Sequence, residues 1–154
     1  MATTSGAILN SIQLQFMSIP DNIGLARVTV ASFAAQLDLT LNELEEIKVA
    51  TSEAVSNALI HGYEQNKKGI ISISATLFED KLEIVIEDQG KGIENVEQAL
   101  QPAYSTDPER MGLGFMFMKS FMDDVKVEST VGKGTRVYLT KFLESAQKLQ
   151  AAND

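Results

Sequence analysis

Four strand patterns in this chain occur as two adjacent pairs, and this pairing limits the possible fold more than any other feature. Residues 69–78 and 81–87 alternate apolar and polar side chains on either side of a short turn, as do residues 125–129 and 135–143. Alternation of this kind predicts half-buried strands, and short polar or glycine-containing turns between them predict β-hairpins. The chain therefore contains two hairpins that are far apart in sequence.

The remaining segments predict one more strand and three helices. Residues 12–19 alternate as a first strand, and Thr40 followed by Glu43 is a capping box that opens a long helix ending near Gly62. Residues 23–37 and 113–122 carry apolar side chains at helical spacing. In the first of these helices, Leu25, Val28 and Leu37 form the expected apolar face, with Ala31 or Phe33 between them.

This order of elements predicts an α/β (α+β) two-layer sandwich. Strands come in runs with the helices grouped between them, so we expect a mixed, mostly antiparallel sheet covered on one face by helices. A Rossmann domain would need strands and helices in strict alternation. We expect residues 1–10 to be a flexible extension, 11–144 a single domain and 145–154 a polar tail.

Composition excludes some functions. The formal net charge is −8 and no Lys/Arg cluster is visible, which argues against direct nucleic-acid binding. No apolar run is long enough to cross a bilayer, and no signal peptide is recognisable. With no cysteine, the chain forms neither disulfides nor thiolate metal sites. We therefore expect a cytoplasmic protein without a membrane partner.

An acid and an amide lie one helical turn apart in the long helix. Glu53 and Asn57 share a face, and the small side chains of Ala50, Ala54 and Ala58 flank them, as the floor of a cleft would require. A carboxylate can accept a proton from an attacking hydroxyl, and an amide oxygen is a suitable ligand for Mg²⁺. The alternative is an ordinary solvated helix face.

Two glycine motifs follow. Asp88 comes at the end of the predicted strand 81–87, where its carboxylate can accept a hydrogen bond from the exocyclic amine of adenine. Gly90 and Gly92 follow and let backbone approach a flat ligand. Gly112 and Gly114 precede an apolar helix whose free N–H groups can hold phosphate. Alternatively, the first motif is only a tight turn and the second a flexible helix start. No Walker-type loop or ordinary protein-kinase motif is present.

These motifs, in this order, resemble the ATP-binding domain of the GHKL superfamily. Within it, the chain resembles the anti-sigma factor serine kinases of spore-forming bacteria, and among these the sporulation type, over about residues 14–143. No histidine-bearing dimerisation helix precedes the domain, unlike in sensor histidine kinases. The sequences that carry the resemblance are residues 26–31, 52–63, 101–102, 121–125 and 139–141.

The resemblance implies a role for each site residue. It makes Glu53 the catalytic base, Asn57 a ligand of Mg²⁺ and Asp88 the partner of adenine. The residues expected to shape the ends of the site or close it over the phosphates are Gly90, Gly92, Gly112, Gly114 and Thr135. Residues 93–111 become an ATP lid that includes Ser105, Thr106 and Arg110, about two residues shorter than the family pattern. Arg27, on the first helix, becomes a contact for protein partners.

The resemblance also implies a function. Such proteins are typically homodimers that sequester a sigma factor and use ATP, with ADP as product, to phosphorylate a serine of an anti-anti-sigma protein. Three alternatives remain open: a catalytically silent module that only binds sigma factor, a kinase of the general-stress type, and the detached ATPase domain of a sensor kinase. The presence of both Glu53 and Asn57 argues against the silent module, and the partner-type Arg27 argues against the detached domain.

Overall fold

The computed structural model describes residues 7–101 and 111–143, without the side chains of Met111 and Gly112. These segments form one five-stranded sheet and four helices. The strands are β1 (Ile8–Met17), β2 (Ile70–Phe78), β3 (Lys81–Asp88), β4 (Asp124–Thr130) and β5 (Gly134–Phe142). The helices are α1 (Asp21–Ala34), α2 (Leu41–Asn57), α3 (Val96–Ala99) and α4 (Met111–Phe121).

The sheet has the strand order β1-β2-β3-β5-β4, and every neighbouring pair among these strands is antiparallel. The predicted two-layer α+β sandwich and both hairpins are confirmed. One detail is corrected, because the sheet is antiparallel and not mixed. Strand β4 runs parallel to β3 but does not touch it, since β5 returns from the hairpin and lies between them.

The core lies between one face of the sheet and the helices. Alternate residues of the central strands are buried on that face, and α2 packs between α1 and α4 above them. Each fully buried aliphatic side chain contributes about 1.5–3 kcal/mol relative to an exposed one. The buried apolar residues of β2 and β3 are Ile71, Ile73, Ala75, Leu77, Leu82, Ile84 and Ile86.

The first strand and first helix differ from the predictions. Strand β1 begins at Ile8 rather than at residue 12, because it pairs with β2 as far as Phe78. The predicted face of α1 is correct in its second half and wrong in its first. Ala31 and Phe33 are buried, as is Leu37 beyond the end of the helix, but Leu25 and Val28 are 52% and 59% exposed. In the first half Ala26 and Val30 are buried instead. Both sets of positions have helical spacing.

Helix α2 begins and ends as the sequence predicts. The Thr40 side chain accepts a hydrogen bond from the Glu43 N–H at 3.0 Å, and the Glu43 carboxylate accepts one from the Thr40 N–H at 2.9 Å. After Asn57 the helix widens into a π-helical turn over Ala58–Gly62. Such turns are rare and are found mostly at functional sites. This one brings Gly62 to the end of β3.

The chain leaves the π-turn through two left-handed residues that are not glycine. Glu64 and Gln65 have φ angles of 52° and 66°. The Gln65 N–H donates to the Leu59 carbonyl at 3.0 Å, which closes the end of the helix. The left-handed conformation costs an L-residue about 1–2 kcal/mol.

Replacing Gln65 by glycine is therefore expected to stabilise the fold. Relief of the left-handed strain outweighs the greater chain entropy of glycine, which is about 0.5–1 kcal/mol, so the urea midpoint should rise slightly. Gln15→Gly, in the extended strand β1, is the control and should lower the midpoint. A lower midpoint for Gln65→Gly would show that the left-handed residue is not strained.

Candidate functional site

A cleft opens where the end of α2, the end of β3 and the start of β5 meet. The cavity at this point has a volume of about 20 Å³, room for about one water molecule. Helix α4 closes one side through Phe115. The lining includes Asn57, Gly62, Asp88, Gly92, Ile93 and Thr135. The structure thus brings together residues of the helix motif and of the first glycine motif, and adds Thr135 from β5.

Asp88 is the buried charge of this cleft. Its side chain is 5% exposed, although it is the last residue of β3. Burial raises the pKa of the Asp88 carboxyl to about 6, and nearby Glu87 adds to the rise. The backbone N–H groups of Gly90 and Thr135 donate to the carboxyl and oppose the rise, and Gly90 N lies 2.9 Å from Oδ1. A buried carboxyl with remaining acceptor capacity suits a ligand that donates hydrogen bonds.

Glycines surround Asp88 because no larger side chain fits there. A Cβ on Gly62 would lie 2.7 Å from Asp88 Oδ1, and a Cβ on Gly90 would overlap the Gly62 carbonyl oxygen. Gly134 has a φ of 124°, and its Cβ would overlap the Asp88 carbonyl oxygen. At Gly90 the backbone closely approaches the end of the π-turn; the predicted approach to a flat ligand stays a prediction. The sequence pattern pointed to Gly62 only as the end of the helix.

Tyr63 is a second residue that the sequence analysis missed. Its hydroxyl donates to the Ile70 carbonyl at 2.6 Å and accepts from the Gln89 N–H at 2.8 Å. A Cβ on Gly69 would strike the Tyr63 ring. One side chain therefore fixes the loop after Asp88 to the start of β2. The hydrogen bond to Gln89 joins positions 26 residues apart, so no local pattern could reveal it.

Glu53 and Asn57 both face the beginning of α4. A Cβ on Gly114 would lie 3.0 Å from Glu53 Oε1 and 3.3 Å from Asn57 Oδ1. The predicted shared face is therefore present, although only Asn57 lines the cleft itself. Among the described residues, the buried Asn57 Nδ2 has no hydrogen-bond partner. A buried donor without a partner needs an explanation, such as a bound water or ion or a catalytic role.

Helix α4 begins earlier than predicted. It starts at Met111, so Gly112 and Gly114 belong to its first turn and do not form a loop before it. The Gly112 N–H has no partner within the helix, whereas the Gly114 N–H closes the first helical turn, so of the two glycines only Gly112 contributes a free donor.

The remaining predicted residues lie elsewhere. Arg27 is exposed on α1, and no described residue of α1 lines the cleft. Ser105, Thr106 and Arg110 fall outside the described residues. In residues 7–101 and 111–143, no group of three or more His, Cys, Asp or Glu could hold a metal ion. None of the helices described there is long and apolar enough to span a membrane.

The fold and the cleft define a histidine kinase-like ATPase domain. The family model of that description matches residues 16–141, which include every strand and helix named above except most of β1 and the last residue of β5. An ATPase domain implies ATP binding. The glycine-lined approach to Asp88 and the unpartnered Asn57 amide fit a flat base at one end and a polar group at the other.

Curated relatives narrow the class further. The anti-sigma F factor of Priestia megaterium is 53% identical over 143 residues, which cover 91% of this chain and 97% of that protein. The anti-sigma F factor of Clostridium acetobutylicum is 51% identical over 134 residues, covering 86% and 93%. That of Caldanaerobacter subterraneus is 52% identical over 136 residues, covering 87% and 94%. The chain belongs to the anti-sigma F factor family.

Gly62→Ala is expected to weaken nucleotide binding without unfolding the protein. The new methyl group would displace the Asp88 carboxylate, so ADP affinity measured by calorimetry should fall by about tenfold or more, equivalent to roughly 1.4 kcal/mol or more. Gly24→Ala is the control, because its Cβ would meet nothing closer than 3.9 Å. Parental affinity in Gly62→Ala would show that Asp88 does not hold the ligand.

The raised pKa of Asp88 predicts two pH effects. Between the ordinary value of 3.8 and about 6, the folded protein holds more protons than the unfolded chain. This group therefore stabilises the fold at low pH, and its contribution is lost as the pH rises through that window. The unfolding free energy of Asp88→Asn should lack this dependence.

Folding favours the protonated Asp88 carboxyl, whereas ligand binding should favour the ionised carboxylate, because an amine donates a hydrogen bond to it. ADP binding at pH 6 should therefore release a substantial fraction of a proton. Binding at pH 8 should release almost none. Calorimetry in two buffers of different ionisation enthalpy measures this release. Equal proton release at the two pH values would contradict the assignment.

Proposed function

We propose that this protein is an ATP-dependent serine kinase that also acts as an anti-sigma factor of the sporulation type. In this proposal it sequesters sigma F and phosphorylates a serine of the anti-anti-sigma protein that opposes it. The observation that carries the kinase activity is the placement of Glu53 and Asn57 together, facing Gly114 beside the Asp88 cleft. The names of the relatives support the sigma-factor partner.

The Asp88 end of the cleft receives adenine. The carboxylate accepts the exocyclic amine, Thr135 lies beside it, and Gly90 and Gly92 form the adjacent wall. Buried hydrogen bonds of this kind select a base strongly, because a base without the matching donor leaves a buried acceptor unpaired.

The α4 end receives the phosphates. Asn57 supplies an amide oxygen to Mg²⁺, which takes its other ligands from phosphate and water. A site of this kind needs no cluster of carboxylates. The free N–H of Gly112 in the first turn of α4 favours negative charge, and Gly114 leaves room beside Glu53 and Asn57. We assign Ser105, Thr106 and Arg110 to the lid from family resemblance alone.

Glu53 is the general base of the transfer. It accepts the proton of the substrate serine while the serine oxygen bonds to the γ-phosphorus and the bond to ADP breaks. A positioned base typically contributes 10²–10⁴-fold to such a step. A silent sigma-binding module would not need this carboxylate beside Asn57. A general-stress kinase would share the chemistry and differ in its protein partners.

A homodimer is supported by strand β1. It lies at one edge of the sheet and has no charged residue between Ile8 and Met17. Strand β4, at the other edge, carries Asp124, Lys126 and Glu128. Charges protect an exposed edge against pairing, and their absence leaves β1 open to a second copy. Because its partners belong to the transcription machinery, we place the protein in the cytoplasm.

Glu53→Gln is expected to retain ADP binding and sigma-factor capture but to lose phosphotransfer. The change keeps the side-chain shape and removes the basic oxygen, so incorporation of phosphate into the anti-anti-sigma protein should fall at least 100-fold. Glu45→Gln makes the same change on the exposed surface of α2 and should have no effect. Equal transfer rates for Glu53→Gln and the parent would exclude Glu53 as the base.

Arg27→Glu is expected to impair capture of protein partners and to leave ADP affinity unchanged. Arg27 is an exposed cation on an acidic protein, and reversing its charge at an interface should weaken binding several-fold or more. Lys67→Glu, in the turn before β2, is the matched control. Undiminished capture of both the sigma factor and the anti-anti-sigma protein would remove Arg27 from the partner surface.

A further inference from the structure

A pair of hydroxyl groups lies behind the base end of the cleft. Ser129 on β4 is directly opposite Thr135 on β5 in the strand register, and their hydroxyl oxygens are 2.8 Å apart. Thr135 lines the cleft, whereas Ser129 is set back from it. Neither the sequence motifs nor the function proposed above gives Ser129 a role.

Ser129 connects Thr135 to the loop that follows β3. Its hydroxyl accepts the Ile93 N–H at 2.7 Å and lies 3.1 Å from the Gly134 carbonyl, to which it can donate. A second hydrogen bond, from the Gly132 N–H to the Lys91 carbonyl at 2.7 Å, holds the same loop to the β4–β5 hairpin. Ile93 itself lines the cleft.

The single proton of Ser129 decides what Thr135 offers to a ligand. If it is donated to Gly134, the Thr135 proton can point to Ser129, and Thr135 then presents only lone pairs to the cleft. If Ser129 donates to Thr135, the Thr135 proton is free to point into the cleft. A hydroxyl that both donates and accepts permits either arrangement.

We propose that Ser129 is a positioning residue that orients the Thr135 hydroxyl as a donor to the ring nitrogen next to the exocyclic amine of adenine. This inference rests on the proposed adenine site. The Thr135 N–H donates to the Asp88 carboxyl, so the acceptor carboxyl and the Thr135 side chain are neighbours. Adenine presents an adjacent amine donor and N1 acceptor, and a carboxylate beside a donating hydroxyl matches that edge. Hydrogen bonds in such a chain also strengthen one another.

The test compares Ser129→Thr with Ser129→Val, which have the same shape and differ in one hydroxyl. ADP should bind to the threonine variant with nearly parental affinity and to the valine variant about 3- to 10-fold more weakly, the size of one hydrogen bond. The second ligand is 1-deaza-ADP, in which a C–H group replaces N1. It should bind equally to both variants, because the acceptor that Thr135 serves is missing.

Thr130→Val makes a similar change at the exposed neighbouring position and should leave ADP affinity unchanged. If the valine variant does not fold, Ser129→Ala takes its place in the comparison. Equal ADP affinity of the threonine and valine variants would overturn the inference. If Ser129→Val lost as much affinity for 1-deaza-ADP as for ADP, the inference would also be overturned, because Ser129 would then act on the fold and not on the base. Failure of the parent protein to bind ADP would instead reject the proposed adenine site, and this inference with it.

Discussion

The arrangement of this protein depends on one close approach, between the end of α2 and the end of β3. The π-turn after Asn57 brings Gly62 against the Asp88 carboxyl, and the Lys91 N–H donates to the Gly62 carbonyl at 2.9 Å. Glycine is required on both sides of this contact, since a Cβ at Gly62 or Gly90 would overlap its neighbour. Without this approach the helix motif and the strand motif would not line the same cleft.

The same region lowers the stability of the fold. Burial of the Asp88 carboxyl raises its pKa to about 6, so its ionised form opposes folding near neutral pH. The left-handed Glu64 and Gln65 that follow the π-turn add local strain. Strain and buried charge of this kind persist at functional sites when the surrounding fold over-determines them. Here the surroundings are the two hairpins and the end of α2.

Local patterns predicted the elements of the fold but not how they contact one another. The hairpins, the Thr40 capping box and the shared face of Glu53 and Asn57 follow from spacing within a single element, and the structure confirms them. The buried face of α1 could not be chosen from spacing, because two faces fit a helical period and packing against α2 decides between them.

The residues that the sequence analysis missed share one property. Gly62, Tyr63 and Ser129 each act through a partner on a distant segment: Asp88, Gln89 and Ile93 respectively. A π-turn also has no reliable sequence signal, since its residues resemble those of the helix it extends. The positions of the motifs on their helices and strands were therefore predictable, and the residues that hold those motifs together were not.

The central claim is that the Asp88 cleft binds adenine while the Asn57 end holds the phosphates. A crystal structure of the protein with ADP and Mg²⁺ tests it most directly. The account predicts the exocyclic amine within hydrogen-bond distance of the Asp88 carboxylate and the metal ion on Asn57 Oδ1. A base placed outside this cleft, or phosphates bound away from Asn57 and the first turn of α4, would contradict it.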